Sequence, residues 1–418
     1  MVVEKIKTSL KRIPLVYVAN AKVKAWQTVR DSARVENRYQ ALARAQGVTY
    51  SEQGAIEQLR NRLQQRGLAI EPKPKGQLRI LWVGADWNQD NSGFLAALQK
   101  FGSVNNFHKA DGEYGIGYAH RPGGRERYDP RIVAANDASL LNQVQKARSE
   151  AGLDVLMGQM WAHRISVDAL NKVQQMGVVT VNVAMDDRLP SQWGSHDGIR
   201  LGSIGLCHGL DLVLTSSPEC CLRYAVEGCP ALFWPMASDP ERFKPYPEEQ
   251  KQYDVSFIGN KYGLRGKVVD ALQRAGVRVE AFGRGWPNGT ATAEQSAEIF
   301  GKSRIILGVG NIAYNEDIFT LKLRDFDATM AGALYITHRN PDLLQLYEEG
   351  KEIECYLSID ECVEKVRYYL ARPQQRMAIA MAGAARVRRE HSWEHRLNKA
   401  LAAVGFLAAM PSAATGGD

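Results

Sequence analysis

Residues 322–356, KLRDFDATMAGALYITHRNPDLLQLYEEGKEIECY, contain the pattern that decides the fold. A charged helix start runs into a small-residue turn at Ala331–Ala333, and a strand, a second helix and a second strand follow. Short strands that alternate with helices form mostly parallel sheets with helices on both faces. We therefore predict an α/β domain here. A charged helix start beside a strand end is typical of the edge at which such sheets bind nucleotides and sugars.

The same alternation extends on both sides of this stretch. One series of strands and helices runs from LRILWVGA (78–85) to ALFWPM (231–236), and a second runs from DVSFIGN (254–260) to SIDECVEKVRYYL (358–370). Between them, ASDPERFKPYPEEQKQYD (237–254) is rich in proline and charge and has no apolar periodicity, which is typical of a connection. The sequence therefore predicts two tandem Rossmann-like domains.

The start of the chain has a different pattern. Its long charged segments place apolar residues at helical spacing until EPKPKG (71–76), whose prolines and glycine end the helix. The predicted domains are a helical extension over 1–75, an N-terminal Rossmann-like acceptor domain over 76–236, a C-terminal Rossmann-like nucleotide-sugar domain over 237–391, and a crossing helix with tail over 392–418.

Composition limits the class of protein. At 418 residues the chain is too long for one ordinary core, which favours two domains. The net charge of +7 comes from 53 basic against 46 acidic residues, and the basic residues are spread along the chain. The sequence contains no basic stripe interleaved with aromatic residues, so it gives no indication of nucleic-acid binding. The six cysteines form no CxxC pair and have no histidines at zinc spacing, so we expect reduced thiols and no metal site.

The N-terminus loosely imitates a secretion signal. Basic residues between Lys5 and Arg12 precede the apolar run IPLVYVA (13–19), but that run is short and Lys22 and Lys24 follow at once. No apolar run approaches the roughly 20 residues that span a bilayer. We expect a cytoplasmic protein, with peripheral contact with the inner face of the membrane as an open alternative.

Six segments of the second half resemble a known family in order and spacing. They are ALFWPMASDPERFKP, DVSFIGNKYGLRGKVVDAL, VEAFGRGW, KLRDFDATMAGALYIT, LYEEGKEIECY and REHSWEHR. Together they resemble the C-terminal half of spore-maturation-type (CgeB-like) glycosyltransferases, and the resemblance covers roughly residues 205 to 400. It implies the GT-B fold, in which two Rossmann domains face a cleft. It also implies a nucleotide-sugar donor such as a UDP- or GDP-sugar on the C-terminal domain.

The resemblance assigns a role to Asp327. In the related families an acidic residue at this point accepts hydrogen bonds from the ribose hydroxyls of the donor. The usual residue is glutamate, so the shorter aspartate requires a closer approach. A second glutamate eight positions upstream is replaced here by Phe319. Arg324 stands three positions before Asp327 and shares its helix face, so both are candidate donor-binding residues. The alternative is an ion pair between them that caps the helix.

Diphosphate binding needs backbone N–H groups at a helix start together with cations. FIGNKYGLRG (257–266) supplies a strand, glycines and a helix, with Asn260 at the turn and Arg265 as the first candidate for the diphosphate, because its planar fork holds two oxygens. Lys322 is the second candidate. Both basic side chains could instead be solvated surface residues.

Three further donor-binding candidates have alternatives of their own. Gly283 ends a strand, and Trp286 could form an apolar wall for the base or simply pack its loop. Gly332 lets the backbone pass close to a ligand, or serves as a helix C-cap.

Polar residues also follow the predicted strands of the N-terminal domain. If the transfer inverts the anomeric centre, a base must take the proton of the acceptor hydroxyl, and His163, Asp187 and Asp86 are the candidate catalytic residues in that order. A retaining transfer needs no side-chain nucleophile. The pair Asp186 and Asp187 suggests a metal, but basic side chains and helix dipoles usually neutralise the leaving diphosphate in this fold. We therefore predict no essential metal and no cofactor besides the donor substrate.

The predicted function is transfer of a sugar from a nucleoside-diphosphate donor to an unidentified acceptor, which could be a glycan, a lipid-linked sugar or a protein. Two alternatives remain open. A nucleotide-sugar 2-epimerase shares the fold and would turn over a nucleotide sugar without an acceptor. A non-catalytic scaffold, in which the degenerate glutamate motif reflects lost activity, would bind no nucleotide tightly.

Overall fold

The computed structural model describes residues 14–84, 90–107, 128–185, 187–196, 198–312, 315 and 318–408. The chain divides into two compact units. The C-terminal unit combines the chain up to Asn37 with Pro240–Arg389, and the N-terminal unit combines Arg38–Asp239 with the chain from Glu390. The predicted limits of the four domains stay predictions.

The first part of the chain, up to residue 239, forms six helices and eight strands among the residues that the structure describes. The helices are α1 (Pro14–Gln46), α2 (Glu52–Gln65), α3 (Leu95–Gln99), α4 (Pro130–Glu150), α5 (Val167–Gln175) and α6 (Pro218–Val226). The strands are β1 (Leu78–Val83), β2 (Gly102–Asn106), β3 (Val155–Gly158), β4 (Val179–Ala184), β5 (Ser195–His196), β6 (Ile199–Arg200), β7 (Leu212–Thr215) and β8 (Ala231–Phe233).

The rest of the described chain contributes five more strands and six more helices. The strands are β9 (Tyr253–Ile258), β10 (Val279–Phe282), β11 (Ser303–Leu307), β12 (Leu334–His338) and β13 (Glu354–Tyr356). The helices are α7 (Leu264–Arg274), α8 (Ala293–Gly301), α9 (Arg324–Met330), α10 (Ile359–Leu370), α11 (Pro373–Glu390) and α12 (Trp393–Val404).

Each unit is built on one parallel sheet. The N-terminal unit has six strands in the order β2-β1-β3-β4-β7-β8, and the C-terminal unit has five in the order β10-β9-β11-β12-β13. All pairs in both sheets are parallel. The predicted class of two Rossmann-like domains with a helical N-terminal segment is therefore confirmed.

The strand order defines where a ligand can bind. In the C-terminal unit the chain leaves β9 toward β10 on one side and later returns to β11 on the other side. The loops after β9 and β11 therefore diverge and leave a crevice at the carboxyl ends of these strands, the topological switch point at which open α/β sheets bind ligands. The strands themselves form the core, with Val255, Phe257, Ile305 and Leu307 fully buried.

Three details differ from the sequence-based expectation. GSVNN forms β2, an edge strand with an alternating burial pattern, which the sequence analysis did not identify. SH and IR form a short antiparallel hairpin, β5–β6. The helix expected between β12 and β13 is only a 3₁₀ turn at Leu343–Gln345. Among the described residues, no helix has the length and hydropathy needed to cross a bilayer.

Candidate functional site

Arg324 lies at the switch point of the five-stranded sheet. It is the first residue of α9, and its guanidinium donates hydrogen bonds to the carbonyl of Ile258 at the end of β9 and to that of Val309, 3.3 Å away, just past β11. The side chain is buried. One cation therefore spans the ends of the two strands between which the chain changes direction.

Arg265 lies beside Arg324. It belongs to the first turn of α7, and its Nη1 donates to the carbonyl of Asn260 at 2.9 Å. A Cβ placed on Gly259 would lie 3.1 Å from Nη1 of Arg324 and 3.3 Å from Nη1 of Arg265. Both guanidiniums also lie over the ring of Phe257, at 4.6 and 5.7 Å from its centre. The structure therefore brings together two arginines that stand 59 positions apart in the sequence (324 − 265).

Neither guanidinium forms an ion pair with a carboxylate among the residues that the structure describes. Each of the two arginines is only 7% exposed. Burial, followed by the positive charge of Arg324, lowers the pKa of Arg265 to about 10. The Nε atoms of both are enclosed without an acceptor. Because burying an unpaired charge is costly, two such charges side by side indicate a site that is completed by an anion.

The backbone of the same loop adds donors for an anion. Gly259 has φ 154° and Gly263 has φ 57°, conformations that favour glycine, and they allow the chain to turn tightly from β9 into α7. Gly263 is the N-cap of α7, and no side chain caps this helix start. The N-terminus of a helix carries partial positive charge and unpaired N–H groups. Together with the two arginines, it forms an anion-binding arrangement.

Asn260, Gly283 and Trp286 hold this loop in place. The side-chain oxygen of Asn260 accepts from the backbone N–H of Arg284 at 3.1 Å. Gly283 has φ 130°, and a Cβ there would lie 2.4 Å from the carbonyl oxygen of Gly259. The Trp286 indole donates to that same carbonyl at 2.8 Å. The strand-end loops after β9 and β10 therefore support each other through backbone contacts.

The contacts of Trp286 agree with the alternative that this residue packs its own loop. Its ring packs edge-on against Phe257 with centres 5.9 Å apart, and the Lys261 ammonium lies 4.7 Å above it. With 7% of its surface exposed, little of the indole remains open to a ligand. The role as a wall for the base stays a prediction.

Asp327 and Lys322 lie close to Arg324 along the chain. Asp327 is buried within α9, on the face that it shares with Arg324, and no ion pair joins these two described residues. The alternative of an Arg324–Asp327 ion pair therefore does not apply. The role of Asp327 toward a ribose, and that of Lys322 toward a diphosphate, stay predictions.

Asp325 was not recognised from the sequence, although it stands between the candidates. Its carboxylate accepts from the Tyr335 hydroxyl at 2.5 Å and from the backbone N–H of Lys322 at 2.7 Å. It is fully enclosed, and burial raises its pKa. Asp325 therefore fixes the turn that carries Arg324 into the crevice. Its position in the sequence, next to Arg324 and two residues before Asp327, was the available signal.

His338 is a second residue that sequence reasoning missed. It ends β12, and its ring packs against Tyr356 with centres 4.3 Å apart. The Tyr356 hydroxyl donates to the carbonyl of Gly308, at the end of β11, at 2.8 Å. Burial lowers the pKa of His338 to about 4, so the imidazole is neutral at pH 7. Its position at a strand end in ALYITH was the available signal.

Gly332 is placed at the opposite edge of the sheet, which corrects the expectation that it contacts the donor. Helix α9 runs from the carboxyl edge to the amino edge, and Gly332 follows it with φ 68°, just before β12. A Cβ there would lie 2.5 Å from the Cβ of Pro245. The C-cap alternative explains this glycine, and the structure does not bring it to the arginines.

His163 follows β3 in the N-terminal unit. Its Nδ1 lies 2.6 Å from the carbonyl oxygen of Leu201, and its Nε2 lies 3.3 Å from Nε of Arg164. An Nδ1–H tautomer satisfies both contacts, because Nδ1 then donates and Nε2 accepts. As a base it would use Nε2, which Arg164 contacts, so its catalytic role stays a prediction.

Asp187 follows β4, the strand next to β3. Its side chain is buried, and Oδ2 accepts from the Thr215 hydroxyl at 2.7 Å. Its backbone carbonyl accepts from the Trp193 indole. Burial raises the pKa of Asp187 to about 7. These contacts hold the segment after β4 against the end of β7, and the role of Asp187 as a base stays a prediction. Asp86, the third candidate, lies outside the described residues.

We expect Asp187→Asn to change how stability depends on pH. A carboxyl whose pKa is raised on folding stabilises the folded state below about pH 4 and loses that contribution as the pH rises to about 7. Between pH 5 and pH 8 the unfolding free energy of the native chain should fall by about 2–3 kcal/mol relative to that of the variant, because the amide at position 187 does not titrate. Urea unfolding of both proteins at the two pH values measures this difference. Parallel profiles would contradict the raised pKa.

Comparison with known proteins agrees with the architecture. A family model described as glycosyl transferase-like matches residues 265–402, less than half of the chain. This segment begins at Arg265 and includes Arg324 and Asp327. No curated protein matches the chain in sequence.

Solved structures match over both units. Anabaena HepE in complex with UDP-glucose aligns with a TM-score of 0.54 and 12% identity, over 78% of this chain and 100% of that one. Sucrose-phosphate synthase from Thermosynechococcus elongatus aligns with a TM-score of 0.52 and 11% identity, over 78% of this chain and 98% of that one. An alpha-glucosyltransferase in complex with UDP-glucose and DNA containing an abasic site aligns with a TM-score of 0.51 and 10% identity, over 79% of this chain and 100% of that one. At these identities the likeness concerns the fold, and the fold is that of the GT-B glycosyltransferases.

Proposed function

We propose that this protein is a glycosyltransferase of the CgeB-like type that transfers a hexose-like sugar from a nucleoside diphosphate to an acceptor. The observation that carries the proposal is the pair of buried guanidiniums of Arg265 and Arg324 at the switch point, neither of which forms an ion pair in the described part of the chain. The glycosyl transferase-like match over 265–402 and the UDP-glucose complexes of two structural neighbours support it.

The two arginines would act on the diphosphate. A nucleoside diphosphate carries negative charge that increases on the leaving group as the bond to the sugar breaks. Arg265 and Arg324, together with the start of α7, would supply positive charge and N–H donors where that charge develops. Asp327 would accept hydrogen bonds from the ribose, and Lys322 would contribute further positive charge.

Because two guanidiniums already provide this charge, we expect donor binding without a divalent metal. Nucleotide binding that is equal in EDTA and in magnesium would agree with this proposal. Binding that appears only with the metal would contradict it.

The N-terminal unit would supply the acceptor side. His163 and Asp187 follow neighbouring parallel strands, β3 and β4, so both lie at the carboxyl edge of that sheet. In an inverting transfer one of them, or Asp86 after β1, would take the acceptor proton. Asp187→Asn and His163→Gln should then lower kcat while donor binding is retained. A retaining transfer would tolerate both changes.

A thermal-shift panel tests the proposal. The full chain is heated with UDP, GDP, dTDP and CMP, and then with the sugars of whichever nucleotide binds. A ligand at a hundred times its dissociation constant stabilises by about 2.7 kcal/mol, so one base should give a clear shift. Absence of any shift would contradict the proposal and favour a non-catalytic scaffold. Conversion of the nucleotide sugar to its epimer without an acceptor would instead favour the epimerase alternative.

A further inference from the structure

A separate pocket lies at the amino edge of the five-stranded sheet. It has a volume of about 350 Å³ and is bounded by residues just before β9, by Arg304 at the start of β11, by Gly332 before β12 and by one face of α11. β9 has six residues and spans about 20 Å, so this pocket lies at the opposite end of the strands from Arg265 and Arg324. It is therefore distinct from the candidate donor site.

Positive charge exceeds negative charge among the residues that line this pocket. Glu248 is the carboxylate there, and one of its oxygens accepts from Arg304 at 3.0 Å and from Arg376 at 2.6 Å. Arg376 is almost fully buried, with 3% of its side chain exposed. Arg304 also contacts Asp254 at 3.0 Å, outside the pocket lining. The two arginines share a single Glu248 oxygen, and Arg376 also donates from Nη1 to the Tyr369 carbonyl at 3.3 Å. Because each guanidinium carries five N–H donors, N–H groups remain for another acceptor.

Lys251 adds a third cation to the same pocket. Its ammonium donates to the carbonyl of Gly301 at 2.7 Å and forms no ion pair within the part of the chain that the structure describes. Burial lowers the pKa of Lys251 to about 8; Glu248 opposes this shift, whereas Arg376 and Arg304 add to it. An ammonium with one carbonyl partner retains two N–H donors. The pocket thus contains donors and charge in excess of its own acceptors.

The remaining wall is apolar. Pro245 and Tyr246 come from the connection before β9, and Met377, Ala380 and Met381 come from α11. Met381 is 72% exposed, which is unusual for a large apolar side chain. Pockets of about 300–1,000 Å³ with an apolar wall and a few convergent polar groups are typical of small-molecule sites.

We propose that this pocket binds a small soluble amphipathic anion, with a phosphate or carboxylate head against Lys251, Arg304 and Arg376 and a short apolar body against Met377 and Met381. A ligand here would contact both the residues before β9 and those of α11.

Calorimetric titration of the full chain with hexyl phosphate tests the proposal. The native protein should bind it more tightly than inorganic phosphate, because only the ester has an apolar body. Lys251→Met should weaken binding at least tenfold. The exposed Lys244 in the same connection provides the matched control, and Lys244→Met should leave the affinity unchanged.

The pH dependence gives a second readout. A bound anion favours the charged ammonium, so affinity should fall as the pH rises above about 8 in the native protein. A phosphate monoester, with a second pKa near 6, stays dianionic over this range, so its own charge does not change. Lys251→Arg should keep the affinity and lose the pH dependence.

Three results would overturn the proposal. The first is an affinity for hexyl phosphate that Lys251→Met does not change. The second is displacement of hexyl phosphate by UDP, if Arg265→Gln abolishes that displacement. The third is co-sedimentation of the protein with phosphatidic-acid vesicles, if it depends on Lys251. The second result would place the probe in the donor site, and the third would assign the pocket to a lipid head group.

Discussion

Arg265→Gln should remove most of the nucleotide-induced stabilisation without lowering the stability of the ligand-free protein. Hydrogen bonds to charged groups contribute about 1.5–3 kcal/mol each, so loss of this guanidinium should weaken nucleotide binding by roughly 12- to 150-fold. At a nucleotide concentration a hundred times the native dissociation constant, the stabilisation should fall from about 2.7 kcal/mol to about 1.3 kcal/mol or less. The ligand-free protein loses the hydrogen bond from Arg265 to the Asn260 carbonyl, but it also loses a buried charge that repels Arg324. Because these two effects oppose each other, its own melting temperature should stay nearly unchanged.

Three further variants separate binding from folding. Arg274→Gln changes an exposed arginine at the other end of the same helix, α7, and should leave both properties unchanged. Arg324→Gln should lower both, because it also leaves the carbonyls of Ile258 and Val309 without their donor. Asp327→Ala should weaken nucleotide binding through the lost ribose contact. If Arg265→Gln and Asp327→Ala both keep the full nucleotide shift, the donor site lies elsewhere.

Arg265 and Arg324 show what the sequence could and could not predict about this site. Each was identified separately, Arg265 from a glycine-rich turn before a helix and Arg324 from a charged helix start. Their contact around Gly259 depends on the strand order β9-β11-β12, which a single sequence does not reveal. The strongest electrostatic feature of the site, two buried like charges, is therefore a property of the tertiary structure.

Local sequence patterns predicted the strands and helices of the fold more completely than they predicted the surroundings of individual side chains. Buried parallel strands such as β3 and β7 are apolar runs that can be recognised in the sequence, whereas the edge strand GSVNN is polar because one of its faces is solvated. Asp325 and His338 were missed for a related reason. Their burial comes from Tyr335 and Tyr356, on strands that the helix and loops bring close only after folding.

Gly332 illustrates the opposite error. A glycine after a charged helix start suggested a close approach to a ligand, but seven helical residues carry the chain from one edge of the sheet to the other. Direction along the helix, rather than proximity in sequence, decides which residues share a site.

Gly283→Ala should disrupt both folding and nucleotide binding. Gly283 has φ 130°, a conformation that costs a residue with a side chain about 1–3 kcal/mol. The added methyl group would lie 2.4 Å from the Gly259 carbonyl oxygen and 3.0 Å from the Asn260 nitrogen, so the loop after β9 must move. Forcing a backbone to move in a packed region adds about 1–3 kcal/mol. We therefore expect a loss of about 2–6 kcal/mol in unfolding free energy.

Nucleotide binding should fall further than the loss of stability explains, because that loop places the Arg265 partner carbonyl and the start of α7. The matched control is Gly289→Asn in the same β10–α8 connection. Gly289 also has a positive φ, of 66°, but nothing lies within 4 Å of a Cβ there, and asparagine tolerates this conformation. Urea unfolding and nucleotide titration at low temperature, where both variants remain folded, separate the two effects. If Gly283→Ala binds nucleotide like the control, the loop after β9 does not form the diphosphate site, and the assignment of Arg265 to that site fails with it.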